Sequence, residues 1–233
     1  MTQSWNNILS DQPFTGYLSL PPTGQGPALV LLQEIWGVNQ HIRDVADSYA
    51  QAGFVVLAPD VFWRLTARLD LNYDEVGNQK AFECYQALDT DLAVHDIVTA
   101  INWLKLRPEV TGKIGIIGYC LGGQLAYRSA VASEHIDAAV CYYGGGIVNH
   151  LDIAEQLTQP VIFHHGERDE HISTDDIIKV KAAFAGRENA QFYDYPQAGH
   201  GFNCWGRPLM YHQPSAALAQ GRSLVFLAQQ LCH

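Results

Sequence analysis

Long apolar runs are missing from this 233-residue chain. Nowhere do about 20 apolar residues follow one another, the length a helix needs to cross a bilayer, so no membrane span is expected. Basic residues are also few. Against 24 Asp and Glu stand only 14 Lys and Arg, and no Lys/Arg cluster offsets the formal net charge of -10. A field of that sign opposes binding to nucleic acid and to anionic lipid surfaces. The five cysteines, Cys84, Cys120, Cys141, Cys204 and Cys232, are odd in number, irregularly spaced and contain no CxxC pair. No disulfide framework is visible, which points to a reduced, cytoplasmic protein. The first residues, MTQSWNNILSDQPF, have neither the basic start nor the apolar core of a secretory signal. HExxH spacing, a Walker loop and a GxGxxG after a strand are all absent, so no metal and no cofactor are expected. There is also no internal repeat and no low-complexity linker to mark a boundary, and residues 1–233 read as one domain.

What is present is an ordinary globular composition, 48% hydrophobic and 16% charged. Short apolar runs alternate with longer amphipathic segments. "ALVLLQ" (28–33), "FVVLAPD" (54–60), "KIGIIGYC" (113–120), "AAVCYYG" (138–144), "PVIFHHG" (160–166) and "AQFYDYP" (190–196) read as strands, the first two as strands buried on both faces. Residues 39–53, 90–106, 121–133, 174–186 and 214–231 read as helices. This order predicts βαβ units and a mostly parallel central sheet with helices on both faces. Ligands of such sheets bind beyond the carboxyl ends of the strands. The residues to inspect are therefore Glu34-Ile35-Trp36, Asp60, Cys120, Tyr143, the segment 165–171 and the loop around His200.

One of these points carries a specific pattern. Gly118-Tyr119-Cys120-Leu121-Gly122-Gly123 sits where a strand gives way to a helix. This is the G-x-S-x-G nucleophile elbow with cysteine in place of serine. The glycines let a tight turn pass close to its neighbours. The sulfur then sits at a helix N-terminus, where free N–H groups and the helix dipole favour a thiolate and a nearby oxyanion. The Leu121 N–H is one expected oxyanion donor. A lone cysteine is more often a buried packing residue. However, an acid loop with Glu167, Asp169 and Glu170 follows the strand at 160–164, and "AGHGF" with His200 follows the strand at 190–196. Nucleophile, acid, histidine is the chain order of a hydrolase triad.

Taken with "VLLQEIWG" (30–37), "VLAPD" (56–60), "YYGGG" (142–146), "GERDEHI" and "AGHGF", these residues make the chain resemble the dienelactone hydrolase (carboxymethylenebutenolidase) family over nearly its whole length. The resemblance implies an α/β-hydrolase fold and a triad of Cys120, Asp169 and His200. It pairs the Ile35 N–H with that of Leu121 in the oxyanion hole, and makes Glu34 the base that takes the thiol proton when substrate binds. It also implies a carboxylate clamp of two arginines. One would fall at position 204, which is Cys204 here, and the other near Asn78, before the helix near 78–89. Arg207, three residues beyond Cys204, is the nearest substitute. Trp36, Phe82, Tyr85 and Tyr143 are candidate pocket walls. The expected reaction is hydrolysis of a small-molecule ester or lactone by a monomer or small homo-oligomer. The alternatives are a broad carboxylesterase on the same triad, or a thiol-redox or binding protein on a hydrolase scaffold.

Overall fold

The structure, a computed structural model, describes residues 2–232. Eight strands form one sheet: β1 (Gln3–Asn7), β2 (Thr15–Ser19), β3 (Gly26–Leu32), β4 (Val55–Pro59), β5 (Val110–Tyr119), β6 (Ala138–Tyr142), β7 (Val161–Gly166) and β8 (Ala190–Tyr195). Their spatial order is β1-β2-β4-β3-β5-β6-β7-β8. β3 to β8 run parallel, while β1 and β2 are antiparallel additions at one edge. The chain winds outward from β3 to β4 and then returns to place β5 on the other side of β3. This topological switch opens a crevice beyond the carboxyl ends of β3 and β5, where Leu32 pairs with Gly118.

Alternation along the strands supplies two cores. Ala28, Val30 and Leu32 of β3 face one way, into a layer with α2 (Glu75–Ala87), α3 (Thr90–Lys105), α4 (Leu121–Ala132) and α5 (Thr174–Ala183). Leu29 and Leu31 face the other way, against α1 (Gln40–Gln51) and α6 (Gln213–Leu231). Most helices start on a side-chain cap that satisfies a free N–H. The Asn39 side chain accepts from the Ile42 N–H, Asp74 from Gly77, Asp89 from Asp91 and Leu92, and Ser173 from Asp176. At α4 the cap position is Cys120, which makes no side-chain cap bond. The helix that follows the elbow is thus left uncapped by any side chain. The chain also contains β1, β2, α2 and a 3₁₀ stretch at Ile147–Gln156; the periodicity of the sequence locates none of these. Among the described residues, no helix is long and apolar enough to cross a membrane.

Candidate active site

At the end of β5 the backbone turns through Cys120 at φ 56° and ψ -118°, a conformation that costs a non-glycine residue about 1–3 kcal/mol. Close neighbours force the turn to be made of glycine. A Cβ on Gly118 would lie 1.9 Å from the Gly122 carbonyl oxygen, one on Gly122 would lie 2.4 Å from that of Leu32, and one on Gly123 would lie 2.6 Å from that of Tyr142. The Cys120 N–H donates to the Tyr142 carbonyl at 3.0 Å, tying the elbow to β6. Cys120 itself stays partly exposed while Cys84, Cys141 and Cys204 are buried and Cys232 is exposed, and all five are free.

The loop after β7 brings one of its three acids inward. The Asp169 carboxylate accepts from the backbone N–H groups of His171 (2.8 Å) and Ile172 (3.0 Å) through Oδ1, and its Oδ2 meets His200 Nδ1 at 2.8 Å. Glu167 and Glu170 remain exposed. His200 is buried, which disfavours its charged form. Once Cys120 is ionised, its charge and the hydrogen bond to Asp169 outweigh that and push the His200 pKa up to about 10. Cys120, Leu121, His200, Ile35, Trp36, Phe82, Tyr85 and Arg207 all line one cavity of about 360 Å³. Tyr143, expected as a wall of this cavity, does not line it. Its side chain is 0% exposed and packs behind the imidazole, with ring centroids 5.1 Å apart. At φ 35° its backbone is strained as well.

Glu34 sits at the switch point, just past β3, and is 1% exposed. Its Oε1 accepts from Arg207 Nη2 at 2.7 Å. Glu34 Oε2 and Arg207 Nε have no hydrogen-bond partner among the described residues. The Arg207 guanidinium also lies 4.4 Å over the Trp36 ring and 5.4 Å from that of Tyr73. Burial works against its charge, but Glu34 first, then Cys204 and Tyr143, hold its pKa above the ordinary arginine value. Gly201 makes room for it, since a Cβ there would lie 2.4 Å from Arg207 Nη2. Arg207 is therefore a cation in the site, reached from a different position than the expected one, and it is already paired. At the second expected arginine position, Asn78 Oδ1 accepts from the Trp36 indole N–H at 2.9 Å.

The sequence does not hint at the surroundings of this ion pair. Buried His41 and Cys204 bring a nitrogen and a sulfur within 4.8 Å of each other and of a Glu34 oxygen. Three such donors are a set that holds a metal elsewhere, but the Arg207 guanidinium already lies on Glu34 and supplies the positive charge there. Cys204 donates to the Tyr73 hydroxyl at 3.4 Å, and burial, with Glu34 adding to it, raises its pKa to about 11. Burial likewise pulls His41 below the ordinary imidazole value against the opposing pull of Glu34. His171, on the loop after β7, lines the cavity too.

A mostly parallel sheet with a tight glycine-flanked turn after one strand and an Asp–His hydrogen bond between two later loops is the architecture of an α/β-hydrolase. The chain belongs to the dienelactone hydrolase family, whose model matches residues 14–231. It is 30% identical over 216 residues to carboxymethylenebutenolidase 1 of Cupriavidus pinatubonensis, covering 92% of this chain and 91% of that one. Identity to the carboxymethylenebutenolidase of Pseudomonas putida is 32% over 216 residues, with the same coverage. In three dimensions the chain superposes on a crystal structure from Klebsiella pneumoniae subsp. pneumoniae, described as a candidate dienelactone hydrolase, with a TM-score of 0.85, 27% identity and 98% of each chain covered.

Proposed function

We propose that this dienelactone hydrolase-like protein cleaves a carboxylic ester or lactone through Cys120. The observation that carries the reading is the convergence on one cavity of a strained, uncapped elbow cysteine with a histidine already oriented by a buried aspartate. Cys120 Sγ attacks the carbonyl carbon, and the oxygen's developing charge is taken by the Leu121 and Ile35 N–H groups. His200 gives a proton to the departing alkoxide as its C–O bond breaks. Water, deprotonated by His200, then cleaves the thioester and releases the acid, and the departing thiolate takes back the proton held by Glu34, which restores the thiol and the Glu34 carboxylate. Asp169 fixes the imidazole so that Nε2 faces the reacting atoms.

Glu34 serves as the thiol's base in this scheme. At rest its carboxylate is held on Arg207, and Oε2 has lone pairs to spare. Taking the thiol proton requires it to leave Arg207 and turn toward Cys120, which keeps the resting sulfur protonated and less open to oxidation. With a single arginine that is paired to Glu34 at rest, and Asn78 and Cys204 at the two expected arginine positions, a substrate carboxylate would have to displace Glu34 and would find no second guanidinium, so neutral esters are favoured over substrates with a free carboxylate. A broad carboxylesterase on the same residues is the second reading, and the same two positions favour it.

The test is a comparison of cysteine variants on small esters and lactones. Cys120→Ala abolishes hydrolysis, while variants of the other cysteines keep most of it. Brief iodoacetamide treatment labels Cys120 in step with loss of activity. Full activity in Cys120→Ala ends the reading.

A further inference from the structure

Resting on the triad proposed above, the cavity around Cys120 assigns separate places to the two halves of an ester. His200 must reach the leaving oxygen, so the alcohol lies on the side of its imidazole. On that side a cavity of about 270 Å³ is lined by His200 and by the polar groups Arg168, Glu170, Gln197 and His212, with Leu209, Met210 and Tyr211 along one edge. A second branch leads away from the nucleophile and does not touch His200. Its volume is about 370 Å³, and it shares Trp36, Phe82, His171 and Arg207 with the central cavity. Its walls are mainly aromatic and aliphatic, among them Tyr73 and Pro208 beside Trp36 and Phe82.

Two features mark this branch as built for a ligand. It exposes Phe82, at 50%, and shares with the His200-side cavity an apolar edge formed by Met210 (36% exposed) and Leu209 (101%). A contiguous apolar patch at the rim of a cavity is costly in water and signals something that covers it. The charge at its inner end is also already neutralised, because Arg207 is bound to Glu34. A carboxylate entering there would lose its hydration and have to compete with Glu34 for Arg207, whereas a hydrocarbon group loses nothing polar.

We infer that the branch bounded by Trp36, Phe82 and Pro208 is the acyl subsite, and that it takes esters of medium-length or aromatic carboxylic acids with small or polar alcohols. Burial of each further methylene of the acyl chain then raises kcat/KM by roughly three- to fourfold until the branch is full. The same methylene added to the alcohol gains far less.

The experiment measures kcat/KM for ethyl acetate, ethyl butanoate and ethyl hexanoate against ethyl, butyl and hexyl acetate. The wild type should rise steeply in the first series and stay nearly flat in the second. Phe82→Asn should flatten the acyl series. Phe82 is half-exposed, so the fold tolerates the change. Leu106→Asn, on a surface that lines none of these cavities, is the control and leaves both series as they were. A flat acyl series, or a steep one that Phe82→Asn does not alter, overturns the subsite assignment. A rise with alcohol length instead would put the apolar group on the His200 side and equally overturn it. If every ester in both series fails with intact Cys120, the triad reading fails first.

Discussion

Arg207→Met is the perturbation that most directly tests the organisation of the site. The substitution keeps an apolar chain over Trp36 and removes the charge. It leaves Glu34, 1% exposed, with neither its counter-ion nor its bond at 2.7 Å. Breaking a buried pair by deleting one partner costs about 3–5 kcal/mol, because the surviving charge has lost both its water and its partner. Loss of the guanidinium contact with Trp36 adds about 0.5–2 kcal/mol. Together these come to about 3.5–7 kcal/mol, and for a chain of this length that is a fall in Tm of roughly 7–28 °C. Urea unfolding at neutral pH measures it, with an unchanged m-value confirming that the denatured state is the same. Two checks separate a stranded charge from simple loss of packing. The deficit should shrink on acidification, as the stranded carboxylate takes up a proton. The double variant Glu34→Gln/Arg207→Met should recover most of the loss, since it buries an amide in place of a lone charge. A single variant within about 1 kcal/mol of wild type, or a double variant no better than the single one, refutes the view that the pair is a mutually dependent buried unit.

Three further outcomes follow from the same geometry. Glu34→Gln should lower kcat by roughly a hundredfold through loss of the base, and should also lower stability measurably, because Arg207 loses its counter-charge; rate assays and urea melts read the two effects separately. Gly123→Ala should cost about 1–3 kcal/mol or fail to fold, since its Cβ would sit 2.6 Å from the Tyr142 carbonyl and 2.9 Å from Gly144 Cα; a melting curve matching wild type would contradict the close packing of elbow and β6. Cys120→Ala removes the strongest influence that raises His200 when the sulfur is ionised, so burial should bring its pKa down from about 10, which an NMR titration of the imidazole detects. The sign for stability follows: a raised imidazole stabilises fully below its ordinary value of 6.5 and loses that contribution as pH climbs to about 10, so the wild type should lose more stability than Cys120→Ala across that interval.

The parallel part of the sheet was readable because β3 to β7 are buried on both faces and their apolar runs are continuous. Each of the predicted helices appears within a few residues of its expected bounds. The edge was not readable for the opposite reason. β1, with the sequence QSWNN, is an exposed outer strand whose pairing with β2 comes from the backbone rather than from any apolar pattern. α2 buries only Gly77, Ala81 and Cys84, so its periodicity is faint, and only family likeness pointed to a helix there. The 3₁₀ stretch at Ile147–Gln156 contains a non-helical residue at His150 and has no sustained period to detect.

The site divides along the same line between local and long-range information. The elbow is local. Its glycines, strained cysteine and following helix are contiguous, and the spacing of Gly118, Cys120 and Gly122 can be read directly. Strand order narrows the acid and histidine to two loops and the family resemblance picks Asp169 over Glu167 and Glu170; its inward pointing, held by two backbone N–H groups after it, is visible only in the structure. Arg207 lies at the far end of this scale. A register comparison finds Cys204 where an arginine was sought and leaves Arg207 as a substitute that is out of register. The loop after His200 supplies the reach, because Gly201 adopts φ +71° and carries no side chain, leaving space for a guanidinium that returns from position 207. A long side chain with several rotatable bonds can deliver a positive charge beside Glu34 from more than one place in the chain. A missing residue in a pattern is therefore weak evidence for a missing charge. The cysteine at 204 is then free to bond Tyr73, and what differs from the family pattern is the wall of the pocket rather than the charge balance around Glu34.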